Sequence, residues 1–103
     1  MTNFVACDTI NTIGTSFQGT VKTTYDKLVE VFGEPTAMDA SPYEKVNAEW
    51  SVEAKDEDNT VFTIYNWKDG YVPTEEYDWH IGGFDFNAYC VATDILNKLE
   101  EVV

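Results

Sequence analysis

The chain has no arginine: its 6 basic residues are all lysine, set against 19 acidic ones, for a formal net charge of -13. Nucleic-acid and anionic-membrane binding needs clustered cations that displace counterions, so both are poor partners for this molecule. Basic protein surfaces, including the nucleic-acid channels of other enzymes, suit it better. Histidine occurs once, as His80, and cysteine twice, as Cys7 and Cys90. A Ser-His-Asp or Cys-His arrangement therefore has no recognisable nucleophile setting, and zinc would need carboxylate help. Neither catalysis nor a metal or cofactor is expected. The two cysteines share no motif spacing and are expected to be reduced, with Cys90 buried on a helix. No apolar run nears the roughly 18 residues of a bilayer span. Met1 to Phe4 lack the basic region and apolar core of a signal peptide, so a cytoplasmic protein is expected.

What is present is enough for a folded core. Over 103 residues, 44% are hydrophobic and 15% aromatic, which fits one globular domain spanning 1–103 and not a disordered acidic tail. Residues 1–15 mix Thr, Asn and Asp with isolated apolar positions and are expected as an extended arm or edge strand. Ser16–Val21 suits a short strand. Thr23 then offers a helix N-cap with Asp26 three residues on, and Tyr25, Leu28, Val29 and Phe32 follow on one helical face. Gly33 fits a left-handed position after that helix, and Pro35 stops it resuming.

Glu34–Glu44, with two of the prolines, is expected as a loop. Val46, Ala48, Trp50, Val52 and Ala54 then alternate with Asn47, Glu49, Ser51, Glu53 and Lys55, the pattern of a strand with one wet face. Asp56 to Asn59 should close a hairpin, and Val61–Trp67, apolar on both faces, should return as a central strand. Asp69-Gly70 marks a turn. Tyr77, Trp79 and Ile81 share one face of a further strand that Gly82-Gly83 ends. Asp85 can cap a last helix with the stripe Ala88, Ala92, Ile95, Leu96 and Leu99, and with Tyr89 beside it. The expected fold is α+β: a small antiparallel sheet with two helices on one face, in the order β-α-β-β-β-α.

Four short motifs follow one another along the chain: Phe32-Gly33-Glu34-Pro35, Lys45 leading into Glu49-Trp50, Thr63-Ile64-Tyr65-Asn66-Trp67-Lys68, and Trp79-His80-Ile81-Gly82-Gly83. Their order resembles a pattern of small uncharacterised bacteriophage accessory proteins, over roughly Gly19 to Leu96. The resemblance implies a phage origin and a host-takeover or counter-defence role. It implies no activity.

Two constellations can carry binding. Tyr65 and Trp67 can stack a base, while Lys68 and His80 supply charge or hydrogen bonds. Gly82 and Gly83 let backbone amides approach an anion, near the helix that opens at Asp85. With Trp79, these residues describe a nucleotide pocket; the competing reading makes the glycines a tight turn, Trp79 a core anchor and His80 a surface residue paired with a carboxylate. The second constellation is acidic: Glu53, Asp56, Glu57 and Asp58 at the hairpin tip, and Glu75, Glu76 and Asp78 before the Trp-His element. These can imitate phosphates toward a basic host protein, or simply keep the molecule soluble. Asp39 with Glu53-x-Lys55 loosely resembles a metal-dependent nuclease core, although the charge opposes that reading. The function expected is stoichiometric binding: sequestration of a nucleotide-derived host immune signal, with acidic mimicry against a defence nuclease or other nucleic-acid enzyme as the alternative. Exposed rings among Tyr65, Trp67, Tyr71, Tyr77 and Trp79 also suit a homodimer or higher oligomer.

Overall fold

Eight elements follow one another in the computed structural model, which describes residues 4–7, 12–39 and 41–101, with side chains as far as Asn97. They are β1 (Phe4–Ala6), β2 (Ser16–Thr23), α1 (Tyr25–Phe32), β3 (Ala37–Met38), β4 (Ala48–Ala54), β5 (Thr60–Tyr65), β6 (Tyr77–Gly83) and α2 (Asn87–Glu101). The strands form one 6-stranded sheet in the order β1-β4-β5-β6-β2, with β3 also paired to β4, and every pairing is antiparallel. The α+β expectation holds, and β5 is central as its two apolar faces require. Two short strands join the expected order. The segment 1–15 contributes the edge strand β1, and the Glu34–Glu44 loop contains β3.

Register assigns each side chain to a face. Trp50 lies opposite Ile64 and Val52 opposite Phe62, while Ile64 lies opposite Ile81 and Trp79 opposite Val21. These residues share one face, and Trp50, Val52, Phe62, Ile64, Trp79 and Ile81 are all buried there. Both helices cover that face. Leu28 of α1 is fully buried, Phe32 meets Phe4 and Phe62 edge-on, and Trp50 meets Trp79 at 5.5 Å and 81°. From α2 come Ala88, Val91, Ala92, Ile95 and Leu96. Leu99 lies outside the described side chains.

The helix ends refine the expected caps. The N-cap of α1 is Thr24 and not Thr23: its hydroxyl accepts from the Lys27 N–H at 3.2 Å, while Thr23 is the last residue of β2. Gly33 has the expected positive φ of 85°, but its ψ of -166° is extended, not left-handed helical. Its carbonyl accepts from the Trp50 indole N–H at 2.9 Å, which ties the helix end to the core. For α2, the Asp85 carboxylate accepts from the Asn87 N–H at 3.0 Å, as expected of a cap. Cys90 is exposed on α2, contrary to expectation, because the buried stripe passes through Ala88, Val91 and Ala92 on either side of it; Cys7 is the buried thiol, and neither cysteine is in a disulfide.

The supposed wet face of β4 is only partly wet. Asn47 is fully buried and Ser51 nearly so. The chain must pass from β1 at one edge to β2 at the other, and Thr15 and Ser16 reach the neighbourhood of Thr63 and Gly82 in the middle of that face.

Candidate functional site

The face without helices is organised in transverse rows. Glu49 lies opposite Tyr65, Tyr65 opposite His80, and His80 opposite Thr20, so one row crosses β4, β5, β6 and β2. The next row is Ser51, Thr63, Gly82 and Phe17. Side chains directly opposite in an antiparallel sheet stand about 5 Å apart, so each row is a set of contacts. Small residues fill the middle of the second row. Large ones fill the first.

Rings gather where the rows meet. Tyr65 stacks on His80 at 5.4 Å and 25°, Phe17 meets His80 at 5.3 Å, and Trp67 meets Tyr65 edge-on at 6.2 Å. Phe17, Tyr65, Trp67 and His80 line a groove of about 390 Å³. Phe17 is 56% exposed and Trp67 41%, so both rings are open to a ligand. Two of the six lysines stand over the Trp67 ring: the ammonium groups of Lys45 and Lys68 each lie 5.8 Å from its centre. That spacing is within cation–π range. A strongly acidic protein thus concentrates a third of its basic side chains on one exposed ring.

A second hollow of about 210 Å³ shares the Tyr65 and Trp67 walls and is otherwise lined by Thr15, Ser16, Val46, Glu49, Thr63 and Gly82. Burial pushes the Glu49 carboxyl above its ordinary 4.5, and among the described residues that carboxylate has no hydrogen-bond or ion-pair partner. Burial, and then the nearby Glu49 charge, raise the Tyr65 hydroxyl pKa too. His80, which lines the groove, has its Nδ1 buried and without a hydrogen bond. Two residues lining the hollows, Glu49 and His80, therefore each carry a polar group without a partner among the described residues.

A buried polar knot holds Trp67 and Lys68 in place. The Asn66 side-chain oxygen accepts from the N–H groups of Asn47 and Ala48 at 2.8 and 3.0 Å. Its amide nitrogen donates to Asn47 Oδ1, Asp69 Oδ2 and the Tyr71 carbonyl, each at 3.1 Å. Asn47 in turn donates to the carbonyls of Asp39 and Ser41, which explains its burial in a row expected to be wet. The Tyr77 hydroxyl accepts from the Trp67 N–H at 3.2 Å and bonds the Asp69 carboxylate; burial first, then that bond, push it up to about 12. Lys68 has φ 62°, a left-handed conformation, and its N–H donates to the Lys45 carbonyl at 2.7 Å, so both lysines are set by one bond.

Of the seven expected ligand residues, Tyr65, Trp67, His80 and Gly82 line these hollows, and Lys68 stands over the Trp67 ring without lining either. Trp79 and Gly83 do neither. Trp79 is fully buried on the helix-covered face against Trp50, so it is a core anchor and not a ligand contact. A Cβ on Gly83 would strike the Ala88 Cβ: this glycine admits α2 against the sheet. A Cβ on Gly82 would come within 2.6 Å of Thr63 Oγ1, so Gly82 keeps the floor of the polar hollow low. Both glycines have strands on either side, which engage the backbone there and replace the expected anion-holding amides. His80 lies between rings and pairs with no carboxylate among the described residues. Phe17 and Glu49 belong to the site as well. The β2–β6 register shift between Phe17 and Gly19 turns Phe17 toward His80, and no sequence pattern marks it.

The acidic residues divide. Asp56 and Asp58 are exposed and Glu57 half-buried at the β4–β5 turn, where Asp58 and Asn59 both have positive φ; Glu53 pairs with Lys55 at 3.1 Å. Glu75, Glu76 and Asp78 lie at the opposite end of the sheet, beyond Tyr65, a strand length of ~20 Å away. They form no single row. Asp39 bonds beside Asn47, again ~20 Å along β4 from Glu53, so the nuclease-like grouping does not assemble. Among the described residues no three His, Cys, Asp or Glu converge, and no helix is long and apolar enough to cross a membrane. No family model, curated protein or solved structure matches the chain.

Proposed function

We propose that the protein binds a small nucleotide-derived anion stoichiometrically and withdraws it from a host immune pathway, as a phage-type counter-defence factor in the host cytoplasm. The observation that carries this reading is the groove of Phe17, Tyr65, Trp67 and His80 with Lys45 and Lys68 set over Trp67. Rings accept a base by stacking, and the two ammonium groups offset the global negative field where a phosphate would sit. The phage setting rests on the motif resemblance alone. Calorimetry against a panel of mono-, cyclic and dinucleotides tests the binding. Trp67→Ala or His80→Ala should weaken the best ligand at least tenfold while leaving the circular dichroism spectrum unchanged. Unaltered affinity for every member of the panel in both variants would sink the reading.

Acidic mimicry of nucleic acid toward a basic host protein is the second reading, supported by the exposed carboxylates of the β4–β5 turn. The ~20 Å between the two clusters weakens it, because phosphate mimicry needs a continuous row. It predicts that neutralising Glu53, Asp56, Glu57 and Asp58 together, or raising salt, lowers affinity for a basic host partner. Indifference to both changes removes it.

A further inference from the structure

We propose that the smaller hollow beside Glu49 receives the vicinal hydroxyls of a ribose, so that the site selects ribonucleotides over 2′-deoxyribonucleotides. The inference rests on the nucleotide reading of the adjoining groove and adds what the second compartment does.

The two hollows share the Tyr65 and Trp67 walls but differ in chemistry. Rings alone line the larger, whereas Thr15, Ser16, Glu49 and Thr63 contribute polar atoms to the smaller. At about 210 Å³ the smaller lies below the size of sites that enclose a whole drug-like ligand, about 300–1,000 Å³. It is therefore a subsite. An ionised carboxylate only accepts hydrogen bonds, and among the described residues no side chain or backbone N–H donates to the Glu49 carboxylate. In the free protein water can serve this half-buried carboxylate, and a ligand seated in the hollow would replace that water with its own donors.

Three kinds of donor are available in principle. A cationic group conflicts with a ligand whose anionic part is held by Lys45 and Lys68. The base edge is placed on the far side of Tyr65 and Trp67 if the rings take the base. Neutral hydroxyls remain, and a vicinal pair matches the two oxygens of one carboxylate, each bond strengthened by the charge. The low floor at Thr63 and Gly82 gives a pentose ring room. A ligand lacking one hydroxyl leaves a half-buried acceptor unpaired, which is the strongest form of small-molecule discrimination.

The experiment is a two-dimensional amide NMR titration with calorimetry, using ADP, GDP, their 2′-deoxy counterparts and ribose 5-phosphate. The expected result is that ADP or GDP shifts the amides around Phe17, Trp67 and His80 and those of Glu49, Thr63 and Gly82. The 2′-deoxy compound should bind at least tenfold more weakly. Glu49→Gln should bring the two affinities within about twofold of each other while the fold stays intact. Equal affinity of ribo and deoxy forms in the unsubstituted protein overturns the inference but leaves the groove reading standing. Silence of Phe17, Trp67 and His80 toward every nucleotide overturns the groove reading. In that case ribose 5-phosphate shifting Glu49, Thr63 and Gly82 would keep the sugar subsite, and no shift there would remove it as well.

Discussion

The two faces of the sheet are built from the same strands and follow opposite logics. On the helix-covered face, Trp50, Phe62, Ile64, Trp79 and Ile81 are sealed by α1 and α2, and the glycines there serve packing: Gly19 yields to Tyr89 and Gly83 to Ala88. On the other face large rings stay partly in solvent, a half-buried carboxylate has no cation among the described residues, and a histidine nitrogen has no partner. The first arrangement maximises apolar burial. The covered face also leaves one polar atom unmet, the Trp79 indole nitrogen, but the second face sets its unmet groups beside open hollows, which is costly in a free protein and useful in one that binds. Neighbouring residues thus have different duties, as Trp79 and His80 show.

Truncating each face should separate these duties, and the covered face should respond most. Trp79→Ala removes a fully buried indole that packs on Trp50 and Tyr77, and should cost about 3–5 kcal/mol in urea unfolding. A loss below about 1 kcal/mol would mean that Trp79 is not a core residue. Asn66→Ala comes next. It strips the shared acceptor from the Asn47 and Ala48 N–H groups, an expected loss of about 2–3 kcal/mol, and it releases Trp67 and Lys68. Stability and ligand affinity should therefore fall together. An affinity loss without a stability loss would show that the knot does not carry the strand end. Trp67→Ala on the open face should change stability by no more than about 1 kcal/mol, because the ring is already 41% exposed. Its effect should appear in binding.

How much of this was legible in the chain depends on whether a feature is local. The period of two in β4, the i, i+3, i+4 stripes of both helices and the hairpin turn at 55–59 are short-range patterns and read correctly. The N-cap slipped by one because Thr23 and Thr24 are chemically equivalent, and only the end of β2 decides between them. Other features depend on distant chain. Asn47 reads as solvated until Asn66, nineteen positions on, is placed against it. Gly82 and Gly83 look alike in sequence, yet they face opposite sides, one under Thr63 and the other under Ala88. Phe17 reaches His80 only through the register shift in β2. The face opposite Trp79 could be assigned to His80 by alternation, but its neighbours could not.

The smallest effect is the most discriminating, because its sign differs between the two faces. Burying apolar mass on the covered face stabilises; burying the Glu49 carboxyl does not. Its folded-state pKa is raised above the ordinary 4.5, so the folded chain holds that proton more tightly than the unfolded one. The favourable contribution is present below pH 4.5 and is lost as pH rises through the raised value. Glu49→Gln keeps the shape and cannot ionise. The variant should match the parent in thermal unfolding at low pH and exceed it slightly near neutrality, where the parent carries an unpaired charge. A ligand that donates to the ionised carboxylate should reverse this, stabilising the parent more than the variant. If Glu49→Gln destabilises the free protein at neutral pH, the carboxylate has a structural partner, and the open face is less open than its geometry indicates.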